Sequence, residues 1–228
     1  EGEIAVRGPG VTVGYEANPA ANAAAIQDYH AHGYPVFGYA GSIYEWSWWL
    51  RGMENFLVDM MDNPALAEAV VRKVEGHTTR LATATARLGV DVLCFYDDAG
   101  MQRGMQIAPA LWRRFIKPRV QAMYQRAKDA GKFVMQHSCG AVQELFPDLI
   151  DMGLDIFNTF QPEVIDVAFC KREYGHHLTF YGGISTQQVL PRVSPGELRE
   201  VIKRTIALVG KDGGYIVAPT HAIPRDVS

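Results

Sequence analysis

The sequence predicts a parallel α/β fold closed as a barrel, and three observations carry that expectation. A helical segment ends at a glycine, and a short apolar run follows within a few residues, six times along the chain. The polar residues capable of chemistry gather at the carboxyl ends of those runs. No run is followed by the G-x-G-x-x-G or Walker-type loop that marks a nucleotide-binding open sheet. Parallel strands need a crossover and usually get a helix, so alternation with short connections gives β/α architecture.

Taken in order, residues 1–33 read as an irregular segment and a helix that lead into a single domain covering 1–228. The first apolar run, YPVFGYA, follows Gly33, and VDVLCFY follows Gly89. KFVMQH comes after Gly131, LDIFNTF after Gly153, HHLTFYG after Gly175, and YIVAP after the glycines at 210, 213 and 214. Glycine suits a position just past a helix end because it takes a left-handed conformation without a Cβ penalty. Runs of this length rich in Val, Ile, Leu, Phe and Tyr read as buried strands.

The helices are marked as well. Asn63-Pro64 opens one in which Leu66, Ala67, Val70, Val71 and Val74 recur at helical spacing. From Pro109 another buries Trp112, Phe115, Ile116, Val120, Met123 and Tyr124, with Pro118 predicted to kink or divide it. Ser194, Pro195 and Glu197 carry the N-cap, N1 and N3 residues of a capping box. Behind that box Leu198, Val201, Ile202, Thr205 and Val209 share one face. Trp46, Trp49, Leu50, Met53, Leu57 and Met60 match a core-facing helix stripe better than a lid made of Tyr44, Trp46, Trp48 and Trp49.

Composition narrows the function classes. With 228 residues, 48% hydrophobic and 21% charged, the chain can bury a sizeable core. A net charge of −3 argues against a nucleic-acid partner. No stretch of about 18 apolar residues is present, so no membrane span is expected. The three cysteines, Cys94, Cys139 and Cys170, form no disulfide framework and suit a reducing cytoplasm. The chain opens on Glu1 rather than Met, as a sequence whose native start lies upstream would.

Ligands of both barrels and open sheets bind at the carboxyl ends of the strands. There the sequence places Asp97-Asp98, then His137-Ser138-Cys139-Gly140, then Asn158 and Gln161, then Ser185, and finally Thr220-His221. His30, His32, His176 and His177 fall at the opposite ends beside helix C-termini, a stability role. His137 and Cys139 are two apart in an extended segment and so point to one side. An imidazole and a thiolate there make a donor pair that zinc accepts. His221, at the matching end of the last strand, is the best third ligand, ahead of Cys94 and Cys170, which read as core. Asp97 and Asp98 are adjacent and face opposite ways. One is expected in the pocket as base, substrate contact or support for a ligand, the other in a local cap or pair.

The segments DDAGMQRGMQIAP, FIKPRV, HSCGAVQELFPDLIDMGLDIFNTFQP, YGGISTQQVLP and GGYIVAPTHAIPRDV, in this order, resemble the uroporphyrinogen decarboxylase superfamily. The resemblance runs from about Tyr44 to the C-terminus and implies a (β/α)8 barrel with its site at the C-terminal face. It implies one of two activities. The first is zinc-dependent transfer of a methyl group from a corrinoid, carried by a partner protein, to a thiol. The second is cofactor-free decarboxylation of uroporphyrinogen III, a step of porphyrin synthesis. The methyltransferases bind zinc through H-x-C and a later cysteine. Here His137 and Cys139 keep the first part, and His221 stands at the later position. His221-Ala-Ile-Pro also resembles a decarboxylase segment whose histidine lines the tetrapyrrole pocket. Asn158-Thr159 replaces the Asp-Trp pair of the decarboxylases, which counts against that activity.

The leading expectation is therefore a zinc-dependent methyltransferase. His137, Cys139 and His221 would hold the metal, and Asp97, Asp98 and His221 would serve catalysis. Gln102, Asn158, Gln161 and Ser185 would bind substrate. The runner-up is a decarboxylase of uroporphyrinogen or a related acid, and the third reading is a corrinoid- or tetrapyrrole-binding barrel without chemistry. Six βα units against the eight implied by the resemblance, and ~250 residues for a typical barrel, lead to the expectation of a fragment. It would lack the first two units and the last helix.

Overall fold

Six parallel strands lie side by side in chain order: β1 (Phe37–Gly41), β2 (Val92–Tyr96), β3 (Phe133–His137), β4 (Ile156–Thr159), β5 (Thr179–Ile184) and β6 (Tyr215–Pro219). The structure, a computed structural model, describes residues 19–225 and 227. The irregular segment expected before residue 19 lies outside the described residues. The described chain is a parallel α/β fold with the architecture of a partial (β/α) barrel, and each strand coincides with one of the six expected runs. Among the described residues no pairing joins β6 back to β1.

Helices run between the strands. After α1 (Pro19–Ala31) come α2 (Tyr44–Arg51), α3 (Met53–Asp62) and α4 (Pro64–Arg87), which together connect β1 to β2. The β2–β3 crossover holds a small antiparallel ribbon, Gly100–Met101 with Gly104–Met105, then α5 (Pro109–Leu111) and α6 (Lys117–Asp129). Between α5 and α6 the chain makes one π turn, with the Lys117 N–H bonded five residues back to Trp112 O. Pro118 has no N–H and sits in the first turn of α6, so the division expected at this proline is present. The last three helices are α7 (Phe146–Asp151), α8 (Val167–Tyr174) and α9 (Pro195–Val209).

Local rules account for most of these boundaries. The Ser194 hydroxyl accepts the Glu197 N–H while the Glu197 carboxylate accepts the Ser194 N–H (2.8 Å), closing the capping box of α9. The Asn63 side chain accepts the Leu66 N–H at the start of α4. Gly33, Gly89, Gly131 and Gly153 take φ between 70° and 96°, as expected of glycines that end helices. Gly175 does not. It stays helical, and a Cβ there would sit 2.4 Å from Lys171 O, so crowding rather than handedness requires glycine.

A second expectation needs correction. The aromatic run from Trp46 to Met60 does not form a single core-facing stripe. Gly52, at φ 85°, ends α2 and starts α3 on a new axis, so the helical phase is lost between the two halves. Trp49 (61% exposed), Leu50 (56%) and Met53 (36%) face outward, while Tyr44, Phe56 and Met60 are buried.

Alternation along the strands builds two cores. Leu93, Phe95, Val134, Phe157 and Phe180 point outward into the helices and join the main core. Val92, Cys94, Met135 and Ile156 point inward and pack with Phe37, Tyr96, Tyr181 and Ile216. The ring of Phe37 on β1 meets that of Tyr181 on β5 at 6.4 Å, so the sheet curls until its first and fifth strands touch through the interior. That curl brings the carboxyl ends of the strands around one mouth. Among the described residues no helix is long and apolar enough to cross a membrane.

Candidate metal centre

β3 delivers His137 to the inner side of the mouth. Ser138 turns away, its hydroxyl accepting the Ala99 N–H (3.1 Å), and Cys139 returns to the His137 side. Cys139 Sγ lies 3.6 Å from His137 Nε2. His221 follows β6, where the Thr220 N–H donates to Ile184 O (2.8 Å), and its ring meets that of His137 edge-on at 5.8 Å. The ligand atoms of His137, Cys139 and His221 all lie within 4.8 Å of one another, with His221 the exposed member. Tetrahedral zinc with bonds of about 2.3 Å to sulfur and about 2.0 Å to nitrogen would separate those two donors by about 3.5 Å. The His137–Cys139 spacing therefore suits a zinc ion.

Protonation follows from the surroundings. Burial holds the His137 imidazole below its ordinary value, although the Asn158 bond and the Asp98 charge oppose this, so the neutral ring is favoured. Burial pushes the Cys139 thiol up to about 12, with the charge and hydrogen bond of Asp98 adding to it. Neutral imidazole is the form that binds metal, and a bound cation would have to displace the thiol proton.

The two adjacent aspartates have separate tasks. Asp97 is buried and accepts from the Ser42 hydroxyl (2.7 Å) and from the N–H groups of Ile43 (3.2 Å), Tyr44 (3.0 Å) and Glu45 (2.8 Å). It thereby ties the start of α2 to the end of β2. Asp98 faces the centre. Its Oδ1 accepts the Cys139 N–H (2.7 Å) and lies 3.6 Å from His137 Nε2.

The other expected site residues are placed unevenly. Asn158 stands beside the centre, its Oδ1 2.6 Å from His137 Nδ1. Gln161 is buried and accepts the Gly140 N–H (3.4 Å), so it braces the loop behind Cys139. The Ser185 hydroxyl donates to Glu163 and accepts the Gln188 N–H (2.7 Å), a local cap. Gln102 is exposed in the turn of the ribbon.

Over residues 20–228 the chain matches the sequence profile of the uroporphyrinogen decarboxylase (URO-D) family. The chain belongs to the uroporphyrinogen decarboxylase family. Its fold is similar to that of a methyltransferase from Methanosarcina mazei, with a TM-score of 0.70 at 16% identity over 90% of this chain. The described fold spans 60% of that protein's length. It is also similar to D-psicose 3-epimerase from Clostridium cellulolyticum H10, with a TM-score of 0.55 at 14% identity over 92% of this chain and 76% of the epimerase. No curated protein sequence matches the chain significantly.

Three further residues of this family member belong to the site, and sequence reasoning missed them. Tyr96 stacks on the His137 ring at 4.9 Å, and Tyr39 lies 5.3 Å from Tyr96. Both stand on the inner face by the same alternation that places His137, so strand periodicity could have found them. Glu45, in the first turn of α2, accepts the Asp98 N–H. Burial and then the charges of Asp98 and Asp97 push its carboxyl up to about 7. Its signal was its place four residues beyond the end of β1.

Proposed function

We propose that this protein catalyses zinc-dependent methyl transfer from a corrinoid, presented by a partner protein, to a thiol. The observation that carries the reading is the convergence of His137, Cys139 and His221 within 4.8 Å at the carboxyl ends of β3 and β6. Zinc held there would stabilise an incoming thiol as its thiolate at neutral pH. The chain's own residues prepare the site. Asn158 orients the His137 ring, Asp98 holds the Cys139 backbone, and Gln161 braces Gly140 behind it. His221 is the exposed member of the donor set. Membership of the URO-D family and the fold shared with a methyltransferase support the reading. The decarboxylase alternative gains no support from Asn158, whose amide is committed to His137 and to Tyr181 O.

Metal analysis tests the proposal directly. The protein purified with zinc supplied is expected to retain one ion per chain, and His137→Ala and Cys139→Ala are expected to lose it. Demethylation of methylcobalamin in the presence of a small thiol, followed by its visible spectrum, should depend on that ion. A protein that takes up no zinc, or whose zinc content survives both substitutions, would overturn the reading.

A further inference from the structure

The three converging donors account for three positions of a tetrahedral ion, and one carboxylate adjoins two of them. Asp98 Oδ1 lies 3.6 Å from His137 Nε2, the same distance as Cys139 Sγ, and it accepts the Cys139 N–H at 2.7 Å. Bonds to zinc of about 2.1 Å from oxygen and about 2.0 Å from nitrogen separate two tetrahedral donors by about 3.4 Å. Asp98 is therefore at ligand spacing from His137, as Cys139 is.

That arrangement is held from several sides. Tyr96 stacks on the His137 ring at 4.9 Å, with Tyr39 5.3 Å behind Tyr96 and Trp46 6.2 Å from Tyr39, all as ring centroids. Asn158 holds Nδ1, so the ring cannot readily turn Nε2 away from Asp98 and Cys139. Asp97 is locked by its four donors, which fixes the backbone from which Asp98 projects. Charge points the same way. With two neutral imidazoles and one thiolate as ligands, a zinc ion would keep one net positive charge in a partly buried site. An unpaired charge withdrawn from water is costly, and Asp98 supplies the second negative charge at the right distance.

Resting on the metal-site reading, we propose that Asp98 is the fourth ligand of the resting centre and yields its place to the incoming thiol. Zinc favours thiolate sulfur over carboxylate oxygen, so the exchange runs in the direction the reaction needs. The thiol loses its proton to solvent, its sulfur bonds the metal, and the bond from Asp98 Oδ1 breaks. One anion replaces another, and the net charge of the set is unchanged. Until the thiol arrives, the carboxylate keeps water from the fourth position.

The test uses cobalt(II), which reports its ligands by visible absorption, in place of zinc, and 2-mercaptoethanol as the thiol. Asp98→Ala removes the carboxylate. Asp98→Asn removes the charge but keeps an oxygen for the Cys139 N–H, so its circular dichroism and urea midpoint should match the parent. Chelator competition should show both variants binding zinc and cobalt at least about tenfold more weakly. Once saturated with cobalt, both should bind the thiol about tenfold more tightly than the parent, because no carboxylate competes for the position. The sulfur-to-cobalt charge-transfer band reads that affinity. A residue that only positioned Cys139 would weaken metal binding without tightening thiol binding. Unchanged metal affinity in both variants, or thiol binding no tighter than in the parent, would overturn the proposal and leave the zinc reading intact. A parent protein that takes up neither metal would overturn both.

Discussion

His137 and Asn158 form a pair whose geometry determines which imidazole nitrogen is free. The Asn158 Nδ2 group donates to Tyr181 O at 3.0 Å, which turns Oδ1 toward His137. An amide oxygen only accepts, so His137 Nδ1, 2.6 Å away, carries the proton. Nε2 is left with its lone pair facing Cys139 and His221. Removing the partner that orients a ligating histidine costs about 10–100-fold in metal affinity. Asn158→Ala should therefore weaken zinc binding by that factor, measured by chelator competition, without altering the circular dichroism spectrum.

Gly140 places Cys139 by permitting two backbones to cross. It takes φ 83°, and a Cβ there would lie 2.3 Å from Gly100 C and 2.5 Å from Met101 N. The crossing is completed by the Ala141 N–H donating to Met101 O at 2.8 Å. Gly140→Ala should cost about 1–3 kcal/mol from backbone strain alone. A lowered urea midpoint together with a reduced zinc content would bear this out, whereas an unchanged midpoint would contradict it.

Asp97 is expected to matter for stability more than for chemistry. Its substitution by alanine would strand three buried backbone N–H groups at the start of α2, each unsatisfied group costing about 1–3 kcal/mol. Asp97→Ala should lose about 3 kcal/mol or more in denaturant unfolding, since several such groups are left together. Asp98→Ala strands only the Cys139 N–H and should lose less stability but more metal affinity.

The acid side of the stability profile should report Asp148. This residue of α7 accepts from Arg113 Nε (2.9 Å) and Lys117 Nζ (2.6 Å) and ties α7 to the α5–α6 segment. Burial would raise its carboxyl, but the two cations outweigh it and hold the group below its usual range. The folded value is thus depressed below the unfolded value of about 3.9. Its contribution is fully present above that value and is lost as pH falls through the folded one. Asp148→Asn should lower stability at pH 7 and leave a smaller further loss between pH 4 and pH 2 than the parent shows.

The six strands were legible because each is announced locally, by a short apolar run with a glycine before it. The capping box of α9 and the division at Pro118 were legible for the same reason, since caps and prolines act within a turn. His137 and Cys139 share a face by strand geometry alone, so their pairing could be read without a fold. Gln161 and Ser185, expected to touch substrate, also brace loops, and that role was not legible because their partners Gly140 and Glu163 lie 21 and 22 residues away in sequence. No periodic signal reports such a contact.

By itself, then, the sequence determined the order of strands and helices and the residues gathered at the carboxyl ends. Those properties depend on local spacing. The tertiary structure decided which aspartate faces the centre, which nitrogen of His137 is free, and that His221 meets Cys139. It also broke the aromatic stripe at Gly52 and joined Trp46, Tyr39 and Tyr96 into one wall. Each of these depends on the curl of the sheet, which brings residues distant in sequence around one mouth.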